Sequence, residues 1–160
     1  MSPRHAKAVR GSGGRHGLNA QKDATPRQSL AHAHFGEHLT LDGYGGDPDK
    51  LNDGELLQFC LEDLCSRLGM HPLSQPVVLP APDNQLKDPG GWSGFLVIAE
   101  SHIAIHTFPR RRFLSADIYT CRNGMDCGLV SGILTARYSL AEMETHFIRR
   151  GQRYPAHNLL

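Results

Sequence analysis

The chain has 160 residues and a mass of 17.6 kDa, with 17 Lys+Arg against 16 Asp+Glu and 39% hydrophobic residues. That suits one ordinary domain with a core of its own and leaves little room for a second. No apolar run approaches the roughly 20 residues that cross a bilayer, and the first residues lack the apolar core of a secretory signal. The expectation is a cytoplasmic protein without a membrane partner. Charge is unevenly spread: residues 1–30 hold six Lys/Arg and one Asp, residues 31–100 three against eleven acids, and residues 101–160 eight Arg against four acids. A basic segment beside an acidic body is not a nucleic-acid surface. Cys60, Cys65, Cys121 and Cys127 form neither a CxxC knuckle nor a disulfide framework, so they read as reduced thiols.

In chain order, residues 1–34 read as a flexible basic tail, with GSGG at 11–14 and no apolar period to bury. Pro3 and Gly11, Gly13, Gly14 and Gly17 argue against the amphipathic helix of a mitochondrial presequence. His32, His34 and His38 form HxHxxxH without an evident fourth ligand, so no metal is expected there. HLTLDGYG, 38–45, suggests a strand. Leu56, Leu57, Cys60, Leu61, Leu64 and Leu68 recur at helical spacing and predict a helix over about 53–68, ended by Gly69. VVLP, SGFLVIAE, HIAIHTF and FLSADIYTC read as four strands, residues 127–137 as a second helix, and LAEMETHFIRR as a last strand. This order predicts an α+β domain over residues 35–160, an antiparallel sheet with two helices packed against it.

Chemistry concentrates in AESHIAIHTFPRRRFLSADIYTC, Ala99 to Cys121. If its two strands pair as a hairpin centred on Arg111, partner numbers sum to 222, which sets Ser101 opposite Cys121 and His106 opposite Ala116. Opposed Cβ atoms lie roughly 4.5–5.5 Å apart, so a hydroxyl and a thiol would share one site; a slip of one residue would part them. Ser101 and His106 are five residues apart in sequence, roughly 16 Å in an extended strand at about 3.3 Å per residue. Either the chain kinks between them or a two-fold dimer brings His106, with Ser93, to the partner's Ser101.

ESHIAIHTFP, Glu100 to Pro109, followed by Thr120 and Cys121 and preceded by HLTLDGYG and WSGFLVIAES, resembles the prokaryotic S-adenosylmethionine decarboxylases, pyruvoyl enzymes made as proenzymes. The resemblance implies self-cleavage between Glu100 and Ser101, giving a β chain of residues 1–100 and an α chain of residues 101–160. Ser101 would become the pyruvoyl group, whose ketone forms a Schiff base with the substrate amine and draws off the electrons released with carbon dioxide. Cys121 would be the proton donor, His106 the proton acceptor in processing, and Ser93 its helper. No metal is implied. The family's sites lie at a homodimer interface, and its product feeds spermidine synthesis.

The family pattern has a tryptophan before the hairpin proline and a glutamate after it, the acid holding the ribose hydroxyls. Here those substrate-binding positions are Phe108 and Arg110. A guanidinium cannot accept a hydrogen bond. Two further readings therefore stay open beside S-adenosylmethionine decarboxylase: an ornithine or arginine decarboxylase of the same chemistry, and an unprocessed binding or regulatory paralogue. Arg110, Arg111 and Arg112 together could meet a substrate carboxylate. Cys60 and Cys65 are expected to pack in the core.

Overall fold

The computed structural model describes residues 34–87 and 89–155. The tail expected over residues 1–34 lies outside them except for His34.

Strand β1 (Gly36–Tyr44) is followed by the one-turn helix α1 (Pro48–Leu51) and by α2 (Gly54–Arg67). Short strands β2 (His71–Pro72) and β3 (Val77–Ala81) precede the long pair β4 (Gly91–Ala99) and β5 (Ser101–Phe108). Then come β6 (Phe113–Thr120), helix α3 (Cys127–Tyr138) and β7 (Glu142–Arg150). All pairings are antiparallel, in the order β2-β4-β5-β6-β1-β7, with β3 beside β2 along the outer edge of β4. The α+β class and the strand order along the chain follow the sequence expectation. The helix α1 and the two-residue β2 were not foreseen, because each is too short to carry a period.

Helix boundaries follow from side-chain caps. Asp53 accepts from Leu56 N at the start of α2, and Asp126 accepts from Leu129 N at the start of α3. Gly69, with φ at +62°, turns the chain away after α2. One core forms between the sheet and these helices. Leu57, Cys60, Leu61 and Leu64 of α2 and Val130, Leu134 and Tyr138 of α3 pack against Leu39, Leu41, Ile98, Ile103, Ile105 and Ile118 of the sheet, all fully or almost fully buried. Each such aliphatic side chain contributes about 1.5–3 kcal/mol. Helix α2 lies so close on β4 that a Cβ at Gly94 would stand 3.0 Å from Leu57 and Leu61. Burial pushes the Cys60 thiol up to about 12, which fits a packing role.

Alternation divides the sheet. Positions 94, 96 and 98 of β4, 103, 105 and 107 of β5, and 114, 116, 118 and 120 of β6 face the helices. Their neighbours face the other way, where no helix covers them among the described residues. Phe95 is 42% exposed there and Val97 37%, beside Val77 at 51% and Leu79 at 60%.

The hairpin register corrects the expectation. Partner numbers sum to 221, so Ser101 pairs with Thr120 and His106 with Ser115. The connection has an even number of residues, 109–112: Pro109–Arg111 form a 3-10 turn closed by Arg112 N donating to Pro109 O at 3.1 Å, and Arg112 adopts φ +51°. Its centre therefore falls between two residues rather than on Arg111. Cys121 moves one position beyond Ser101 and comes opposite Glu100.

Candidate active site

Glu100 and Ser101 form the corner between β4 and β5, where Ile98 already pairs with Ser101. The corner is accessible: Glu100 is exposed and Ser101 half-buried. Ser101 holds φ +144°, a conformation that L side chains rarely adopt. The shifted register has a chemical consequence here. Cys121 N donates to the carbonyl oxygen of Glu100 at 3.4 Å, so a backbone donor points at the peptide bond expected to be cut. Burial pushes the Cys121 thiol up, a hydrogen bond from Tyr119 partly opposes this, and the nearby Glu100 carboxylate reinforces it. The group is therefore held as a protonated thiol at neutral pH, the form an acid requires.

At the opposite end of β5, Ser93 and His106 are direct cross-strand partners, with Ser93 Oγ and His106 Nδ1 2.9 Å apart. When Nδ1–H is donated to Oγ, Nε2 keeps a lone pair for an incoming proton. Phe108 lies 5.4 Å from Phe113, which lies 5.3 Å from Tyr44, so three aromatic rings line this end. Arg110 is ion-paired, its Nη1 3.1 Å from Asp83 Oδ2. Sequence reasoning missed Asp83, which sits 27 residues upstream in a polar connection with no pattern of its own.

The fold thus brings Ser101 to Cys121 and Ser93 to His106, but does not join the two pairs. Strand β5 runs from Ser101 to Phe108 without a kink, paired in continuous register on both sides. Ser101 and His106 stay roughly 16 Å apart at about 3.3 Å per residue. Of the two solutions weighed from sequence, a kinked strand is absent from this protomer.

Two residues without an expected role prove central to the Cys121 end. Glu37, 5% exposed, accepts from Gly124 N and Met125 N in the turn after Cys121. Asp117 accepts from His38 Nε2 at 3.2 Å, while Arg150 donates to His38 Nδ1 at 3.0 Å and lies over the Tyr119 ring at 5.0 Å. Since a guanidinium only donates, Nδ1 must accept and Nε2 carries the hydrogen. The histidines of the HxHxxxH pattern that the structure describes, His34 and His38, are engaged by carboxylates of this region.

Comparison with known proteins meets this geometry. The family model for S-adenosylmethionine decarboxylase matches residues 37–151. The S-adenosylmethionine decarboxylase proenzyme of Geobacillus sp. (strain WCH70) is 31% identical over 119 residues, covering 74% of this chain and 90% of that protein. That of Symbiobacterium thermophilum is 29% identical over 122 residues, covering 76% and 87%. The crystal structure of the adenosylmethionine decarboxylase from Aquifex aeolicus VF5 has the same fold, with a TM-score of 0.64 at 24% identity over 78% of this chain and 98% of that one. No helix of the described residues is long and apolar enough to cross a membrane. With the match spanning most of the described fold, the chain belongs to the S-adenosylmethionine decarboxylase family, a family of carboxy-lyases.

Proposed function

We propose that this protein is a self-processing decarboxylase that cuts itself between Glu100 and Ser101 and acts on S-adenosylmethionine, supplying an aminopropyl donor for spermidine synthesis in the cytoplasm. The observation that carries the reading is the donation of Cys121 N to Glu100 O beside Ser101. Attack of the Ser101 hydroxyl on the Glu100 carbonyl carbon would place negative charge on the oxygen that this N–H already faces, and such donors lower the barrier to acyl transfer. Ser101 then carries an ester, and a base that removes its α-proton breaks the Cβ–Oγ bond, so that Glu100 leaves as a carboxylate with that oxygen; the dehydroalanine left behind takes up water and loses ammonia to become the pyruvoyl ketone. His106, held by Ser93, is that base.

The residues present fit a pyruvoyl group at position 101. The cut falls at an accessible corner, and the new end at Ser101 remains held by strand pairing to Ile98 and Thr120. The group supplies an electron sink for decarboxylation when formed. Cys121, kept protonated, delivers a proton to the substrate carbon from the same protomer. The family resemblance, Phe108 with its aromatic neighbours and the absence of an acid at position 110 leave ornithine or arginine as the second substrate reading; Arg110 is the observation that favours it.

His106 and Ser93 reach Ser101 from a second copy. The uncovered sheet face carries Ser93 and His106 together with exposed Phe95, Val97, Val77 and Leu79, an apolar surface of the kind that pairs. Two faces related by a two-fold axis would complete two equivalent sites.

Intact mass spectrometry of the purified protein beside Ser101→Ala tests the reading. The expected result is two fragments divided at Glu100–Ser101, the smaller with a blocked keto terminus, and an uncut Ser101→Ala chain. A folded wild-type chain that stays whole sinks self-processing and leaves the non-catalytic paralogue. Carbon dioxide release from S-adenosylmethionine against ornithine and arginine then decides the substrate.

A further inference from the structure

The segment that carries Cys121 is held from β1 by two residues acting together. A Cβ at Gly36 would stand 2.5 Å from the Thr120 carbonyl oxygen and 3.2 Å from Cys121 Cα, so glycine is needed for β1 to come this close. The next residue, Glu37, pairs in register with Thr120 and turns its carboxylate under the following turn. Its Oε2 accepts from Gly124 N at 2.9 Å and Met125 N at 2.7 Å, and its Oε1 meets His34 Nε2 at 3.2 Å. Arg122 N donates to Thr120 Oγ1 at 3.0 Å, so the turn is closed on the strand side as well.

Cys121 therefore sits between two fixed points, the end of β6 before it and the Glu37 carboxylate after it. Its own hydrogen bond to Glu100 O is long, at 3.4 Å. At that distance a displacement of a few tenths of an ångström decides whether the donor acts on the carbonyl at all. Burial alone would push the Glu37 carboxyl up; the N–H groups of Met125 and Gly124 and the His34 ring outweigh it and hold the group below the usual carboxylate value. The anchor is thus an anion at neutral pH, the stronger acceptor for two backbone donors.

We propose that Glu37 is a positioning residue that seats Cys121 against the carbonyl of the scissile bond. The proposal rests on the self-cleavage reading for its consequence, but not for its geometry. A carboxylate that merely stabilised the turn would change the melting temperature and leave the placement of Cys121 alone.

Glu37→Gln keeps the shape of the side chain and removes the charge. Two readouts are taken well below the melting temperature of every variant. The first is the rate of self-cleavage by intact mass. The second is the rate of Cys121 alkylation by iodoacetamide, read on its own peptide in an uncut Ser101→Ala background. Glu37→Gln is expected to slow cleavage about tenfold, the scale of a weakened oxyanion donor, and to change Cys121 alkylation at least about threefold. Wild-type rates in both, whatever the melting temperature, overturn the proposal. A wild-type chain that is never cut defeats the self-cleavage reading instead, and the alkylation rates then decide the seat by themselves. Should Glu37→Gln fail to fold, His34→Ala removes only one contact of the carboxylate and is expected to act in the same direction by about twofold; unchanged rates there overturn the proposal equally.

Discussion

The two ends of β5 differ in kind. At the Ser101 end the functional groups belong to the backbone as much as to side chains: a corner with an uncommon φ, a carbonyl, and the N–H of Cys121 turned toward it. At the His106 end they are side chains on a regular pleat, Ser93 and His106 directly across from each other at 2.9 Å and an aromatic row beyond. A regular strand keeps side chains in place cheaply and cannot bend them to a target several residues away. A corner can present backbone groups at angles that a regular pleat does not allow. Each end supplies what the other lacks, and an extended strand prevents them from meeting within one protomer.

The sharpest way to break this division is to damage each end in a different chain. Ser101→Ala and His106→Ala are each expected to abolish self-cleavage, a loss of about a hundredfold or more, typical of removing a nucleophile or its base. Co-expression of the two should restore cleavage of the His106→Ala chain in mixed dimers, read by mass spectrometry of the differently tagged chains. Mixed dimers without any cut chain would place the base in the same protomer and contradict the unkinked β5.

A smaller effect separates the backbone of Cys121 from its thiol. Cys121→Ala keeps the N–H that faces Glu100 O, so self-cleavage should persist within about tenfold, while turnover by the cut protein should fall by roughly a hundredfold or more as the proton donor is lost. Cleavage that fails along with turnover would show that the thiol, and not the amide, serves the scissile bond.

How far each end could be read from sequence follows the same division. The His106 end is written in side chains, and the family resemblance supplied Ser93, His106 and Phe108, although the hairpin partner of His106 is Ser115 and not the expected Ala116. The strands and the long helix were legible because Leu57, Leu61, Ile103 and Ile105 repeat at the periods of buried faces. The Ser101 end depends on register, and register hung on the connection 109–112: Arg111 looked like its centre, whereas the 3-10 turn makes the loop even and moves Cys121 opposite Glu100. Glu37 and Asp117 were also illegible. A lone acid in a strand carries no signal of its partners, and two of the three that Glu37 holds are backbone N–H groups 87 and 88 residues away.

Acid should weaken the Ser101 end. Because the Glu37 carboxyl is held below its ordinary value of 4.5, its contribution to stability is fully present above that pH and is lost as pH falls through the lower folded value. Wild type is expected to exceed Glu37→Gln by about 1 kcal/mol at neutral pH, the scale of weakening the hydrogen bonds of two part-buried backbone donors. Urea midpoints of the two proteins should converge as pH drops below 4.5. A gap that stays constant with pH would mean the carboxylate charge has no part in holding the turn.

The smallest expected effect concerns the His106 end and the charged one of its two departures from the family pattern. Arg110 and Asp83 are exposed, 74% and 41%, so breaking their ion pair should cost at most about 1 kcal/mol and barely move the melting temperature. The consequence for binding is less symmetric. While Asp83 is present, its carboxylate offsets the guanidinium, and a cationic substrate meets a nearly neutral pair. Asp83→Ala leaves Arg110 uncompensated and should raise KM for a sulfonium substrate by about two- to fivefold at low salt, an increase that fades as ionic strength rises. Arg110→Ala should leave KM unchanged or lower it, with kcat constant in both variants because neither group touches Ser101 or Cys121. If instead Arg110→Ala is the variant that raises KM, the guanidinium binds a substrate carboxylate, and the amino-acid reading gains over the nucleoside one.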